Sequence, residues 1–442
     1  MDFILDLLRT ILAFIGVLAI LVLVHELGHF LMARLFKVKV LEFGFGYPPR
    51  LFGFRRGETL YSMNLLPLGG FVKLLGEEDP TEPRSLASLA PWKRAIILVA
   101  GSGMNVLLPI VIFTVIFMLP QTIPRGNVLI TEVAPGGPAA GAGIVAGDRI
   151  LEVNGNIIDT HSDVGFNIQL NLGNEMTWLV EHEGAQRQIS LTPRLNHPRG
   201  EGPTGVAITT ARIQVDEVPQ TSQAWDIGVR PGDVVLQVGG YLVFDKEAIS
   251  LAAERLTEDG EGNAAILLWR QGEFHEAVVP GPAAGIPQGL SAVVISNIPG
   301  KVVSYPPWRA VPKAVTQIGQ TLVLAKNEIS RWIVGSASPQ LAGPIGIAQL
   351  SGQAASLGFL VFLNFAAFLS INLAIINILP IPMLDGGRLM FVIMEWVRRG
   401  KRVSPKREGF VHLVGFMLLL SMIVIISYYD IARLIQGRSL LP

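Results

Sequence analysis

His25, Glu26 and His29 fall in the run His25-Glu26-Leu27-Gly28-His29. On a helix, a spacing of four sets both imidazoles on one face, where they can bind one Zn2+. The intervening glutamate can then reach a water at the metal as general base. The run interrupts an apolar stretch, because between residues 10 and 33 the only ionisable acid or base besides the histidines is Glu26. Placing a carboxylate and two imidazoles in hydrocarbon is expensive, so a cluster of this kind inside a span reads as a functional site.

A catalytic zinc takes a third protein ligand and keeps one position open. The chain has no cysteine, which excludes thiolate ligands, thiolate nucleophiles and disulfides. His161, His182, His197 and His275 belong to a polar insert and read as surface residues, and His412, at the start of a later apolar stretch, reads as an interfacial one. A carboxylate is the better candidate: Asp385, in Asn377-Ile378-Leu379-Pro380-Ile381-Pro382-Met383-Leu384-Asp385-Gly386-Gly387. Pro380 and Pro382 each remove a helical hydrogen bond and are expected to unwind the backbone just before Asp385. Gly386 and Gly387 permit a tight turn after it. Taken alone, the segment reads equally well as a helix stop with a capping aspartate.

The elements that must position these residues follow from composition. Half of the 442 residues are hydrophobic and 16% are charged, against about 25% charged in ordinary soluble domains, which argues against disorder and against a purely soluble fold. Lys+Arg and Asp+Glu are equal at 35 each, so charge offers no reason to expect nucleic acid. The charge-poor stretches predict an α-helical polytopic membrane protein with about four transmembrane helices, at 3–35, 95–119, 357–384 and 409–431. The first is expected to be retained rather than cleaved as a signal peptide, since Asp2 and Asp6 oppose Arg9 ahead of an apolar run too long for one.

Nine Lys and Arg between residues 37 and 94, and six between 398 and 407, assign both connecting loops to the cytoplasm. Both termini and the insert, about 121–310, then lie outside. The first and third spans run in the same direction, so His25, His29 and Asp385 share a depth near the cytoplasmic side, which favours the metal reading of Asp385.

Residues 143–155 of the insert recur at 228–240 with a constant offset of 85. Each copy reads as a Gly-Asp turn, a short alternating strand and a second glycine turn. The copies resemble PDZ domains, which implies two small β-rich domains whose grooves take up extended peptides; spacers or size-limiting bulk are the alternative. In the first loop, the β-like runs 60–66 and 70–75 flank Pro67-Leu68-Gly69 and are expected to pair as a hairpin, either partly re-entrant beside the spans or plainly cytoplasmic. An amphipathic stretch at 307–334 suggests a helix near the outer interface, with an ordinary packed helix as the equal alternative. The expected division is a first membrane half at 1–120, PDZ-like domains at 121–205 and 206–285, a linker with the amphipathic helix at 286–350, and a second membrane half at 351–442.

The pair of His25-Glu26-Leu27-Gly28-His29 and the Asn377–Gly387 segment resembles the site-2 proteases, intramembrane zinc metalloproteases, most of all the bacterial RseP branch with tandem PDZ domains. Pro67-Leu68-Gly69-Gly70-Phe71-Val72 looks like that family's membrane-associated hairpin, and 341–348 like the segment before its third span. The resemblance implies that His25, His29 and Asp385 ligate zinc, that Glu26 is the catalytic base, and that Asn377 contacts substrate. With Pro380, and with Pro67, Gly69, Gly70 and Phe71 of the hairpin, Asn377 makes up the expected substrate-binding set. It further implies single-span membrane proteins as substrates, such as anti-sigma-factor-like regulators or remnant signal peptides, in the bacterial cytoplasmic membrane. Two other classes compete: a membrane protease of the CAAX-processing type, whose third ligand is usually a downstream glutamate, and a PDZ-bearing scaffold or receptor with an inactive site.

Overall fold

A computed structural model describes residues 2–77, 81–198, 200–258, 264–279, 293–337 and 342–436. The side chains of Pro67 and Leu68 lie outside the described residues, as does Leu341 of the expected pre-span segment.

The chain opens with α1, Asp2–Leu35, 34 residues. At 1.5 Å per residue this is about 51 Å, more than a hydrocarbon core of about 30 Å requires. Val17, Leu21, His25 and His29 are buried while Ile4, Leu12, Ile20 and Leu31 are exposed, so one stripe packs and the rest is left for lipid.

Two long strands follow, β1 (Val40–Arg56) and β2 (Thr59–Leu74). The runs expected to pair with each other do not. Phe43 faces Val72 on one side and Tyr61 on the other, and Phe45 faces both Gly70 and Met63. The first half of β1 therefore lies between the two halves of β2, while residues 50–56 return along 59–64. A simple hairpin was expected because the glycines and paired prolines of β1 mask its alternation. The bent sheet instead has two edges to which no further strand pairs among the described residues, 70–74 and 50–56. Phe30 of α1 packs edge-on against Phe43, which seats the sheet on the helix.

α2, Pro91–Met118, starts with proline at its first position and runs beside α1. Arg94, at its start, is buried in an ion pair with Glu395 at 2.5 Å. Glu395 also takes Arg402 at 3.2 Å, and Arg402 donates to the Ala87 carbonyl at 2.6 Å.

The next stretch forms a unit of its own, built mainly on two sheets. β3 (Gln121–Ile123) precedes β4 (Asn127–Val133), β5 (Arg149–Val153), β6 (Asn156–Ile157), helix α3 (His161–Leu170), β7 (Met176–His182), β8 (Ala185–Leu191) and β9 (Val206–Ala211). The second set is β10 (Ile213–Glu217), β11 (Val234–Val238), β12 (Tyr241–Leu242), α4 (Lys246–Glu258), β13 (Ala264–Arg270), β14 (Glu273–Val279) and β15 (Val294–Asn297). The strand orders correspond: β8-β7-β5-β4-β9 with β6 on β5, and β14-β13-β11-β10-β15 with β12 on β11. The boundary expected at 205 falls at Arg212 instead, because β9 pairs with β4, and the second sheet reaches past 285 to include β15. Such strand partners are distant in sequence and leave no local trace in it.

The two Gly-Asp segments lead into β5 and β11. Asp148 and Asp233 are fully buried and accept from the Val145 and Arg230 backbone N–H groups at 3.0 and 2.8 Å. Arg270 grips Asp233 with two nitrogens, at 2.6 and 2.8 Å. Asp233→Ala is expected to destabilise this sheet by about 2–4 kcal/mol, since it opens the turn and strips a buried partner from Arg270. Protease susceptibility of the 228–240 region in the full chain checks this, and wild-type resistance would contradict it.

β16 (Lys301–Val303) pairs back on β3, and the Tyr305 N–H then donates to the Phe117 carbonyl at 2.8 Å. Helix α5 spans Pro307–Ile333, with Trp308 and Ile333 exposed. α6 (Pro344–Ser356) begins where Asp430 accepts from the Gly343 and Gly346 N–H groups, both at 2.9 Å. α7 covers Phe359–Ile378, α8 Asp385–Val397 and α9 Pro405–Ile435.

Among the described residues four helices are long and apolar enough to cross a membrane: Ile4–Leu35, Pro91–Met118, Phe359–Ile378 and Lys406–Arg433. The third stops six residues short of its expected end at 384, where Pro380 and Pro382 withdraw backbone donors.

Candidate metal centre

α1 carries His25 and His29 one turn apart, and the turn between α7 and α8 delivers Asp385 to them. His25 Nε2 lies 3.0 Å from Asp385 Oδ2, His29 Nε2 lies 3.2 Å from the same oxygen, and the two imidazole nitrogens are 3.2 Å apart. Donors about 2.0–2.1 Å from a tetrahedral zinc stand about 3.3 Å from one another, so these three atoms match one face of a zinc tetrahedron. They are the one group of three or more metal-capable side chains among the described residues. His29 Nδ1–H donates to the Ile97 carbonyl at 2.8 Å, which leaves the Nε2 lone pair free for a metal. The donor set therefore fits the ion.

The imidazoles are 8% and 9% exposed, and what buries them is α2. A Cβ on Gly28 would strike the Ala100 carbonyl, and one on Gly101 would lie 2.7 Å from His25 Cε1 and closer still to His29 Nε2. These two glycines let the helices touch beside the site. Gly101→Val is expected to push the imidazoles apart and weaken metal binding on the order of 10–100-fold with helix content unchanged. Zinc titration alongside circular dichroism reads this, and wild-type affinity would refute it.

Asp385 is aimed by its turn. Met383 takes a left-handed backbone with φ 84°, a conformation costing about 1–3 kcal/mol outside glycine. Its N–H donates to His412 Nδ1 at 2.8 Å, and Gly415 of α9 lies close against Pro382. His412, expected at the interface, is thus a support of the turn. Gly386 and Gly387 act differently from expectation too: neither has positive φ, and a Cβ on them would run into the carbonyls of Ile378, Leu379 and Ile381. They serve close packing, and Met383 supplies the left-handed step.

Glu26 stands outside the donor face, in the wall of a cavity of about 420 Å3 that His29, Gly70, Phe71, Asp385 and Arg388 also line. The 70–74 edge of β2 passes beside it: a Cβ on Gly70 would lie 3.2 Å from Glu26 Cγ, and the Val72 N–H bonds the Glu26 carboxylate. Gly69 rests on the Tyr47 ring, which stacks on Phe71. At the cavity rim Arg388 pairs with Glu77 at 2.9 Å.

Asn377 reaches the site, with Nδ2 3.5 Å from His25 Nδ1. Pro380 is exposed in the turn and does not line the cavity. Sequence reasoning passed over Gly101, Asn105 and the role of His412. A small residue at 101 and an amide at 105, one turn apart in an apolar helix, were the available signal.

The profile of peptidase family M50 matches residues 13–422. A Vibrio cholerae protein with the provisional name zinc metalloprotease is 32% identical over 458 residues, spanning 97% of this chain and 100% of its own. A Thermotoga maritima protein of the same provisional name is 27% identical over 505 residues, spanning 95% and 98%. Zinc metalloprotease RasP of Geobacillus kaustophilus is 26% identical over 506 residues, spanning 96% and 98%.

Proposed function

Because the chain belongs to peptidase family M50 and is a metalloprotease, we propose that it holds zinc on His25, His29 and Asp385 and hydrolyses peptide bonds inside the spans of other membrane proteins. The observation that carries this reading is the three-donor face, shared between an apolar span and the turn after another. When bound, zinc supplies a Lewis acid that polarises a carbonyl and makes water acidic enough to attack near neutral pH. Glu26 takes the proton of the attacking water and returns it to the leaving amine.

A helical substrate keeps its carbonyls in its own hydrogen bonds and must unwind before attack. The 70–74 edge, carrying Gly70 and Phe71 and preceded by Pro67 and Gly69, holds the opened segment by strand addition, and its passage beside Glu26 supports this. Asn377 contacts the substrate near the metal. In this reading the metal centre lies toward the cytoplasm, with both termini and the two β modules outside, in a bacterial cytoplasmic membrane, and the basic residues of the two loops support it. There the modules act as PDZ-like readers or size filters, and the substrates are single-span regulators or remnant signal peptides.

The test is cleavage of a single-span reporter by the purified full chain in liposomes, with the cut mapped by mass spectrometry. A zinc-dependent cut inside the apolar span is expected. Cleavage confined to segments outside the span would overturn the intramembrane reading.

A further inference from the structure

Asn105, on α2, is fully buried, and its side-chain Nδ2 is placed 3.3 Å from His25 Nδ1. Its Oδ1 is buried with no hydrogen-bond partner among the described residues. In this orientation the amide donates to Nδ1, which puts the single proton of a neutral imidazole on Nε2. That nitrogen is the one facing Asp385 and His29, where a proton excludes a cation. The oxygen and nitrogen of an amide are interchangeable by a half-turn. With the half-turn, Oδ1 accepts from His25 Nδ1–H and the Nε2 lone pair turns into the three-donor face.

We infer that Asn105 is a positioning residue, whose side-chain carbonyl fixes the tautomer and ring plane of His25 for metal binding. It does for His25 what the Ile97 carbonyl does for His29, so both imidazoles are oriented from α2. Two amides flank His25 Nδ1, which has one proton to give. Asn105 is the closer and the fully buried one, and Ser370 Oγ holds its backbone carbonyl at 2.8 Å. Asn377, at 3.5 Å and partly exposed, is then free to face a substrate.

The inference rests on the zinc reading above, and its test separates the two. Zinc affinity of the detergent-purified full chain is measured by chelator competition for wild type, Asn105→Leu, Asn105→Asp, Ser370→Ala and His25→Ala, with the visible spectrum of the cobalt-loaded proteins. Asn105→Leu, of similar volume without an acceptor, is expected to lose about 10–100-fold in affinity. Asn105→Asp still accepts the proton and is expected to stay within about threefold, with a wild-type cobalt band. Ser370→Ala, which releases the backbone of Asn105 but leaves its side-chain acceptor, is expected to lose less affinity than Asn105→Leu, and a loss as large as that of the leucine variant would assign the effect to helix packing and overturn the role of the side-chain carbonyl. Equal losses in the leucine and aspartate variants, or none in the leucine variant, would overturn the role of Asn105. Should the leucine variant not fold, Asn105→Ser, too short to reach His25, replaces it with the same expected loss. Wild-type affinity in His25→Ala would instead overturn the zinc site itself.

Discussion

Glu26→Gln is expected to lower reporter cleavage by about 10²–10⁴-fold, the usual worth of a positioned general base, while zinc content stays at the wild-type level. The separation follows from placement. Glu26 lies on the same helix as both imidazoles, yet the donor face is completed by Asp385, and Glu26 turns to the cavity wall. Glutamine keeps the volume and can still accept from the Val72 N–H, so the sheet edge stays where it is. Only the capacity to take a proton is lost. Zinc quantified beside turnover decides the matter, and metal loss in a folded Glu26→Gln protein would make Glu26 a ligand instead.

Asp385→Ala gives the converse result: zinc affinity falls by more than about 100-fold and cleavage disappears with it. An outer-shell partner typically contributes 10–100-fold, and removal of one of three inner donors must exceed that. The loss should come without unfolding, because the turn is held by Met383 on His412 and by Gly415 against Pro382, neither of which uses the carboxylate. Chelator competition with a thermal melt of the apo protein reads both quantities. Retained affinity would mean that a different group supplies the third ligand.

The parts legible in the sequence were those with a local signature. A charge-free run of twenty residues has few fates besides a span, and two histidines four apart on a helix must share a face. Matching depth linked Asp385 to them across 360 positions. The β1–β2 sheet was misjudged because residues 40–46 enter between two halves of one later strand, a pairing decided by packing on Phe30 and not by alternation. The boundary between the two β modules failed in the same way. Asn105 and Gly101 went unread because an amide and a glycine in an apolar helix differ little from chance until the opposing imidazoles are in place. Met383 was invisible for a related reason, since nothing in a methionine announces a left-handed backbone.

The hydrogen bond from the Tyr305 N–H to the Phe117 carbonyl ties together the two ends of the intervening segment, about 120 to 304. The stretch between those two residues is therefore a loop of chain whose ends are fixed together at its base. Loop-closure cost rises slowly with length once the ends are fixed together. An insertion or deletion within the loop is thus expected to leave the helices that carry the metal-donor residues in register. Changes of length can accumulate there without moving His25, His29 or Asp385.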